Sequence, residues 1–148
     1  MSTSVGDLLR IKGSAVEVIA PTGTIQEAIR HMSKTRIGCL AVVTKTGKLS
    51  GIITERDCLW KVLAPGESMR TCLVKDKMTK IAKMDTVTPS QTIEDCMGLM
   101  TQGRHRHLPV LKDDKLAGLI SIGDVVKSML DSQQATIQSL EKYITGTF

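Results

Sequence analysis

The sequence predicts a mixed α/β (α+β) fold built twice over, a tandem pair of β-α-β-β-α units packed with pseudo-twofold symmetry. Three observations predict it. The chain repeats itself at a spacing of 67–68 residues, each copy alternates helical and strand-like apolar patterns, and 148 residues suit one such pair.

The repeat is the strongest of these signals. Pro21-Thr22-Gly23-Thr24-Ile25 returns as Pro89-Ser90-Gln91-Thr92-Ile93, Arg36 as Arg104, and Leu40-Ala41-Val42-Val43 as Leu108-Pro109-Val110-Leu111, all 68 apart. From Lys48 to Asp57 the match to Lys115–Asp124 runs at 67, so one residue is lost in the intervening turn. The lead-in also echoes, since Val5-Gly6-Asp7-Leu8-Leu9 resembles Val74-Lys75-Asp76-Lys77-Met78.

Each element follows from spacing. An early strand falls near Val16–Ile19, or Thr86–Thr88 in the second copy. Ile25, Ala28, Ile29 and Met32 stand at i, i+3, i+4 and i+7, one face of a helix, and Ile93, Cys96, Met97 and Met100 repeat the pattern. Leu40–Val43 is a short continuous apolar run, as a buried strand requires. Lys45–Lys48 and Lys112–Lys115 are polar turns, after which Gly51-Ile52-Ile53 and Gly118-Leu119-Ile120 give the next strand. A second helix places Leu59, Val62 and Leu63, or Val125, Val126, Met129 and Leu130, on its apolar side. A unit of about 60 residues buries little surface by itself, so two should pack together, with their open sheet faces as the expected seam. The units are expected at 4–63 and 73–131, with a linker at 64–72 centred on Ala64–Ser68. Residues 132–148 read as an amphipathic helical tail carrying Ile137, Leu140 and Ile144, stopped by Gly146.

Composition narrows the function. Aromatics are 2% of the chain, Trp60, Tyr143 and Phe148, so modules that stack bases on interleaved aromatics are nearly excluded. Net charge is 20 − 15 = +5, which suits an anionic ligand without requiring nucleic acid. No apolar run approaches the ~18 residues of a membrane helix, and no signal peptide is evident. Cys39, Cys58, Cys72 and Cys96 form no CxxC pair and read as reduced, mostly buried thiols of an intracellular reducing compartment. That means cytoplasm, or an organelle lumen if a targeting peptide has been removed.

The chemistry concentrates in Gly51, Thr54 and Asp57 and their copies Gly118, Ser121 and Asp124. A hydroxyl followed three residues on by an acid is a helix capping box. Capping alone leaves the glycine at a fixed distance, kept in both copies, unexplained. A helix N-terminus with a hydroxyl is also an anion site, a carboxylate accepts hydrogen bonds from a sugar diol, and glycine lets a ligand approach backbone. Together these suit a nucleotide.

The duplicated Gly-apolar-apolar-Thr/Ser-x-x-Asp pattern resembles the CBS domain pair, the cystathionine-β-synthase-type repeat or Bateman module. It covers nearly the whole chain, from about Ser4 to Leu130. The similarity is close to stand-alone two-repeat members such as those of plant organelles, carried by Gly51-Ile52-Ile53-Thr54-Glu55-Arg56-Asp57 and Arg106-His107-Leu108-Pro109-Val110. The resemblance implies binding of adenosine-type ligands: AMP, ADP, ATP, an NAD-type nucleotide or S-adenosylmethionine. These would act as regulatory ligands in energy sensing, with no required cofactor. It implies that Asp57 and Asp124 hold ribose, that Thr54 and Ser121 meet phosphate, and that Arg56 and Gly123 beside the aspartates share the sites. Arg106 and His107 are then expected as a phosphate clamp, chiefly in the Asp124 cleft. That cleft would draw also on Val16, Glu17, Gly38 and Cys39, and the Asp57 cleft on Met84 and Asp85.

Arg104-His105-Arg106-His107 is otherwise a solvated basic loop, and its histidines find no third metal ligand at suggestive spacing. Cys39 has no orienting third group or oxyanion hole, so no catalytic residue is assigned and no enzyme activity is expected. His31 is expected to be exposed. The expectation is a nucleotide sensor, its expected partners being a second copy of the chain, as a homodimer, and a regulated protein, with no nucleic acid and no membrane. The alternatives are a structural dimerisation scaffold with vestigial clefts and, behind it, a nucleic-acid binder using Lys75, Lys77, Lys80 and Lys83.

Overall fold

Hydroxyl side chains start the main helices. In the computed structural model, which describes residues 3–146, Ser4, Thr24, Thr54, Thr92 and Ser121 each accept a backbone N–H three residues on, from Asp7, Glu27, Asp57, Asp95 and Asp124. The acid at that third position accepts the capping residue's own N–H in return. The helices so begun are α1 (Val5–Lys12), α2 (Ile25–Thr35), α3 (Glu55–Cys58), α5 (Ile93–Gly103) and α6 (Ile122–Thr145), with a short α4 (Val74–Lys77) between the halves. α2 and α5 both stop on an arginine in the left-handed region, Arg36 at φ 55° and Arg104 at φ 56°.

The strands are β1 (Val18–Ile19), β2 (Cys39–Val43), β3 (Leu49–Thr54), β4 (Thr79–Lys80), β5 (His107–Lys112) and β6 (Lys115–Ser121). The first sheet runs β1-β2-β3-β4, with β1 parallel to β2 and the other pairs antiparallel. The second is the β5-β6 hairpin. Its register shifts between Val110 and Leu111, as β2-β3 shifts between Val42 and Val43, so even the irregularity is duplicated. The early strand expected at Thr86–Thr88 is reduced to one parallel bridge, Val87 to Val110.

The two halves exchange their lead-ins. Val5, Leu8 and Leu9 of α1 are buried in the second core, with Val87, Ile93, Cys96, Leu108, Val110 and Ile120. Val74 is buried in the first core, with Ile25, Leu40, Val42, Ile53 and Val62, and Met69, Cys72 and Met78 pack against it. Ser4 bridges Thr92, and Thr24 bridges Leu73. β4 adds to the first sheet at β3. Neither half therefore completes its own core from contiguous chain, which makes the pair one cooperative body.

This exchange explains the motif glycines, and differently from the sequence expectation. A Cβ at Gly51 would lie 2.2 Å from the Thr79 carbonyl oxygen, and one at Gly118 would lie 2.6 Å from Leu9 Cδ2. What approaches these backbones is the exchanged lead-in, not a ligand.

The thiols are free, and Cys39, Cys58 and Cys96 are buried. Burial pushes the Cys39 thiol up to about 12 and those of Cys58 and Cys96 up to about 11, with neighbouring carboxylates adding to each. Since the thiolate is the reacting form, only the half-buried Cys72 should alkylate readily in the native state at pH 8. Mass-resolved labelling with iodoacetamide checks this. Labelling of Cys39 at the Cys72 rate would contradict the buried assignment.

α6 is one continuous helix of 24 residues, so the expected tail is not a separate element but the second half of the last repeat helix. Gly146 caps it in the left-handed conformation, as expected, while residues 147 and 148 lie outside the described residues. Val125 is buried, Met129 packs against the core, and residues 131–146 are exposed. Among the described residues no helix is long and apolar enough to cross a membrane.

Candidate functional site

The ends of β3 and β6 deliver Asp57 and Asp124 to two clefts. In each, the capping box fixes the carboxylate against its own helix start: Asp57 Oδ2 accepts the Thr54 N–H at 3.1 Å, and Asp124 Oδ2 accepts that of Ser121 at 2.8 Å. The capping explanation of the motif is thus correct as far as it goes. Ser4, Thr24 and Thr92 cap in the same way without lining either of these two clefts, so capping alone does not make a site. Cleft position does.

The Asp57 cleft has a volume of about 270 Å³. Gly38, Ile52, Thr54, Glu55, Arg56, Asp57 and Thr79 line it together with Arg104 through His107. Asp57 is the one charged residue buried among the described residues, at 7% exposure. Thr79 Oγ1 lies 3.4 Å from both of its oxygens, and Lys61 Nζ lies 2.9 Å from Oδ1. Three arginines (56, 104 and 106) against two carboxylates (Glu55 and Asp57) leave the lining at +1.

The Asp124 cleft is larger, about 410 Å³, and is lined by Lys12, Ala15, Val16, Glu17, Ile37, Gly38, Cys39, His107, Leu119, Ser121 and Asp124. Its carboxylate is already engaged. Lys12 Nζ donates to Asp124 Oδ2 at 2.6 Å and to the Leu119 carbonyl at 2.8 Å. Burial alone would raise Asp124, but the ammonium and the Ser121 N–H outweigh it and hold the carboxyl below its usual range. Glu17 accepts a hydrogen bond from His31 Nε2 at 2.8 Å, so His31 is paired and half-buried rather than exposed. One lysine against two carboxylates leaves this lining at −1. His107, at the boundary of both clefts, has its pKa lowered by burial, with Asp124 partly offsetting, and is a neutral imidazole at pH 7.

Most expected site residues are brought together, with four corrections. Val16, Glu17, Gly38, Cys39 and Ser121 line the Asp124 cleft, and Thr54 and Arg56 the Asp57 cleft. Arg106, however, lies in the Asp57 cleft and not beside Asp124, and His107 is shared. The twofold relation demands this. Gly38 and Cys39 of the first repeat face the second repeat's aspartate, so their counterparts Arg106 and His107 face the first repeat's. Met84 and Asp85, which follow a 3₁₀ turn at Ile81–Lys83, are not among the residues lining the Asp57 cleft, and Asp85 sits beside Gly103. Gly123 does not line the Asp124 cleft, because its place in the first turn of α6 turns it aside. Cys39 does line a cleft, but as a buried, protonated thiol. Sequence reasoning missed Lys12 and Thr79. Both come from the exchanged lead-ins, and the echo between those lead-ins was the available signal.

Among the described residues no group of three or more His, Cys, Asp or Glu is placed to hold a metal ion.

Comparison with known proteins agrees with the geometry. The family model described as "CBS domain" matches residues 3–64 and 74–131. The Arabidopsis thaliana protein "CBS domain-containing protein CBSX3, mitochondrial" is 38% identical over 154 residues, covering 99% of this chain and 74% of its own. The solved structure of a putative signal-transduction protein with CBS domains from Burkholderia ambifaria superposes with a TM-score of 0.81 at 41% identity, covering 88% of this chain and 96% of that one. A structure of CBSX2 in complex with AMP superposes with a TM-score of 0.71 at 25% identity, covering 88% and 98%.

Proposed function

Because the chain belongs to the CBS-domain family and carries a complete pair of repeats, we propose that it is a regulatory adenine-nucleotide-binding module that modulates a partner protein. It performs no catalysis in this reading, and it acts as a homodimer in a reducing intracellular compartment, cytoplasmic or organellar.

The observation that carries the reading is the Asp57 cleft. A buried carboxylate suited to a ribose diol shares with Arg104 and Arg106 a cavity of net positive lining. Arginine is the side chain best suited to phosphate, through paired N–H donors. Phosphorylated nucleotides (AMP, ADP, ATP or the NAD type) are therefore assigned first to this cleft. A lysine ammonium meets the carboxylate in both clefts, Lys61 on Asp57 and Lys12 on Asp124, so the arginines make the difference: the Asp124 cleft has none in its lining and carries Glu17, which makes it the weaker phosphate site. S-adenosylmethionine, which carries no phosphate, gains nothing from the arginines and fits the Asp124 cleft better on charge.

Regulation follows from cleft position. Each cleft is lined by both halves, so a ligand there favours one mutual orientation of the halves and changes the surface shown to a partner. The effect can be no larger than the ligand's preference between orientations.

Native mass spectrometry of the protein purified without added nucleotide tests this. The expected adduct has the mass of an adenine nucleotide. A protein that carries no adduct and takes up none of these ligands on incubation would instead favour a scaffold with vestigial clefts, and retention of single-stranded RNA at physiological salt would favour a nucleic-acid binder.

A further inference from the structure

Gly38 and His107 line both clefts, and of the two only His107 titrates. Backbone holds this shared wall in place. His107 opens β5 and pairs in register with Ser121 of the Asp124 cleft, and the Arg106 carbonyl before it accepts the Ile122 N–H, at the start of α6, at 2.9 Å. In the same way the Gly38 carbonyl accepts the Glu55 N–H, at the start of α3, at 3.0 Å. The imidazole is therefore anchored to the helix start of one cleft while the side chain next to it, Arg106, belongs to the other.

The charges around the ring are divided between the same two clefts. Burial opposes the imidazolium most; Asp124 of α6 and Glu55 of α3 favour it, and Lys12 of α1 and the adjoining Arg106 oppose it. The other charged or titratable members of the linings are Asp57, Arg56, Arg104 and His105 in the Asp57 cleft, and Glu17 and Cys39 in the Asp124 cleft. A nucleotide phosphate in the Asp57 cleft changes this set in one direction twice over. It pairs with Arg106, which cancels an opposing charge, and it adds negative charge of its own near the ring.

We propose that His107 couples the two clefts through a proton: a phosphorylated nucleotide in the Asp57 cleft draws a proton onto His107, and the imidazolium so formed raises the affinity of the Asp124 cleft for a second anionic nucleotide. The proton comes from solvent and returns there when the first ligand leaves. Protonation takes the lining of the Asp124 cleft from −1 to 0, so a second phosphate no longer enters a net negative site. By linkage, the second ligand tightens the first by the same factor. The first repeat has Cys39 at the equivalent position, which lines the Asp124 cleft alone and keeps its thiol proton up to about 12, so only the second repeat supplies the device. The inference rests on the nucleotide reading of the Asp57 cleft and adds to it a link between the sites.

Calorimetry of ADP into the full chain near pH 6.5, in two buffers of different ionisation enthalpy, reads the proton. The phosphate of ADP titrates in this range as well, so His107→Gln is the reference. The wild type should take up about half a proton more per ADP than His107→Gln does, and adenosine should draw none. The second, weaker binding step should fall roughly fivefold in His107→Gln. Imidazole NMR of the wild-type chain, which has three histidines, assigns the proton without any variant: His107 should titrate at higher pH with ADP bound than with adenosine. ADP that binds with equal proton uptake in both proteins, or a proton that settles on His105, which lines the Asp57 cleft alone, overturns the coupling and leaves the nucleotide reading standing. No heat from ADP with the wild type overturns both.

Discussion

Asp57→Ala is expected to lose at least about thirtyfold in affinity for ADP, equivalent to about 2 kcal/mol, within the range for removing a charged hydrogen-bonding partner. The carboxylate is buried, so the ligand's sugar hydroxyls would meet it with little competition from water. The substitution also removes one arm of the capping box, at a cost of about 1 kcal/mol in stability. Asp57→Asn separates the two effects. The amide oxygen can still accept the Thr54 N–H, so the fold is kept, while the charge that anchors the diol is gone. Asp124→Ala should cost less for the same ligand, because the arginines lie in the other cleft. Calorimetry on the three variants checks the order. Equal losses at Asp57 and Asp124 would contradict the assignment of phosphate to the Asp57 cleft.

Gly51→Ala is expected to destabilise the protein by about 3 kcal/mol, which for a domain of this size lowers the melting temperature by roughly 6–12 °C. The added Cβ meets the Thr79 carbonyl at 2.2 Å, and this is backbone, so β4 must leave β3 to make room. Gly118→Ala faces only the methyl end of Leu9, which can rotate, so about 1 kcal/mol is expected there. Differential scanning calorimetry decides between them. The Gly118 cost should also shrink when Leu9 is shortened, whereas a cost independent of Leu9 would mean that strand propensity, not the crossing lead-in, sets the requirement for glycine.

The repeat made the fold legible because duplication writes each element twice. Ile25–Met32 and Ile93–Met100 share one helical face, and the hydroxyl–acid pairs Thr54/Asp57 and Ser121/Asp124 mark where α3 and α6 begin. Placing Val16, Glu17, Gly38 and Cys39 opposite Asp124 already contains the rule that each repeat lines the other's cleft. Applying that rule once more moves Arg106 to Asp57, which is where it lies. What local patterning does not reveal is the exchange of lead-ins. α1 and the Val74 segment carry ordinary amphipathic spacing, and which core they cover is decided by tertiary packing alone. Lys12 and Thr79 inherit that blindness. Lys12 reaches Asp124 across 112 positions, and Thr79 reaches Asp57 through a two-residue strand too short to announce itself. In the sequence the glycines look like openings for a ligand for the same reason: the neighbour that fills the space belongs to the other half.

The most direct test of the account is a calorimetric titration of ADP into the wild-type chain and into Arg104→Ala/Arg106→Ala. Both arginines sit on the exposed side of the cleft, so the double variant should melt as the wild type does. The account predicts saturable binding to the wild type and a loss of at least about thirtyfold in the variant, with adenosine itself nearly unaffected. ADP binding that survives removal of both guanidinium groups undiminished, or no heat from ADP with either protein, would contradict it.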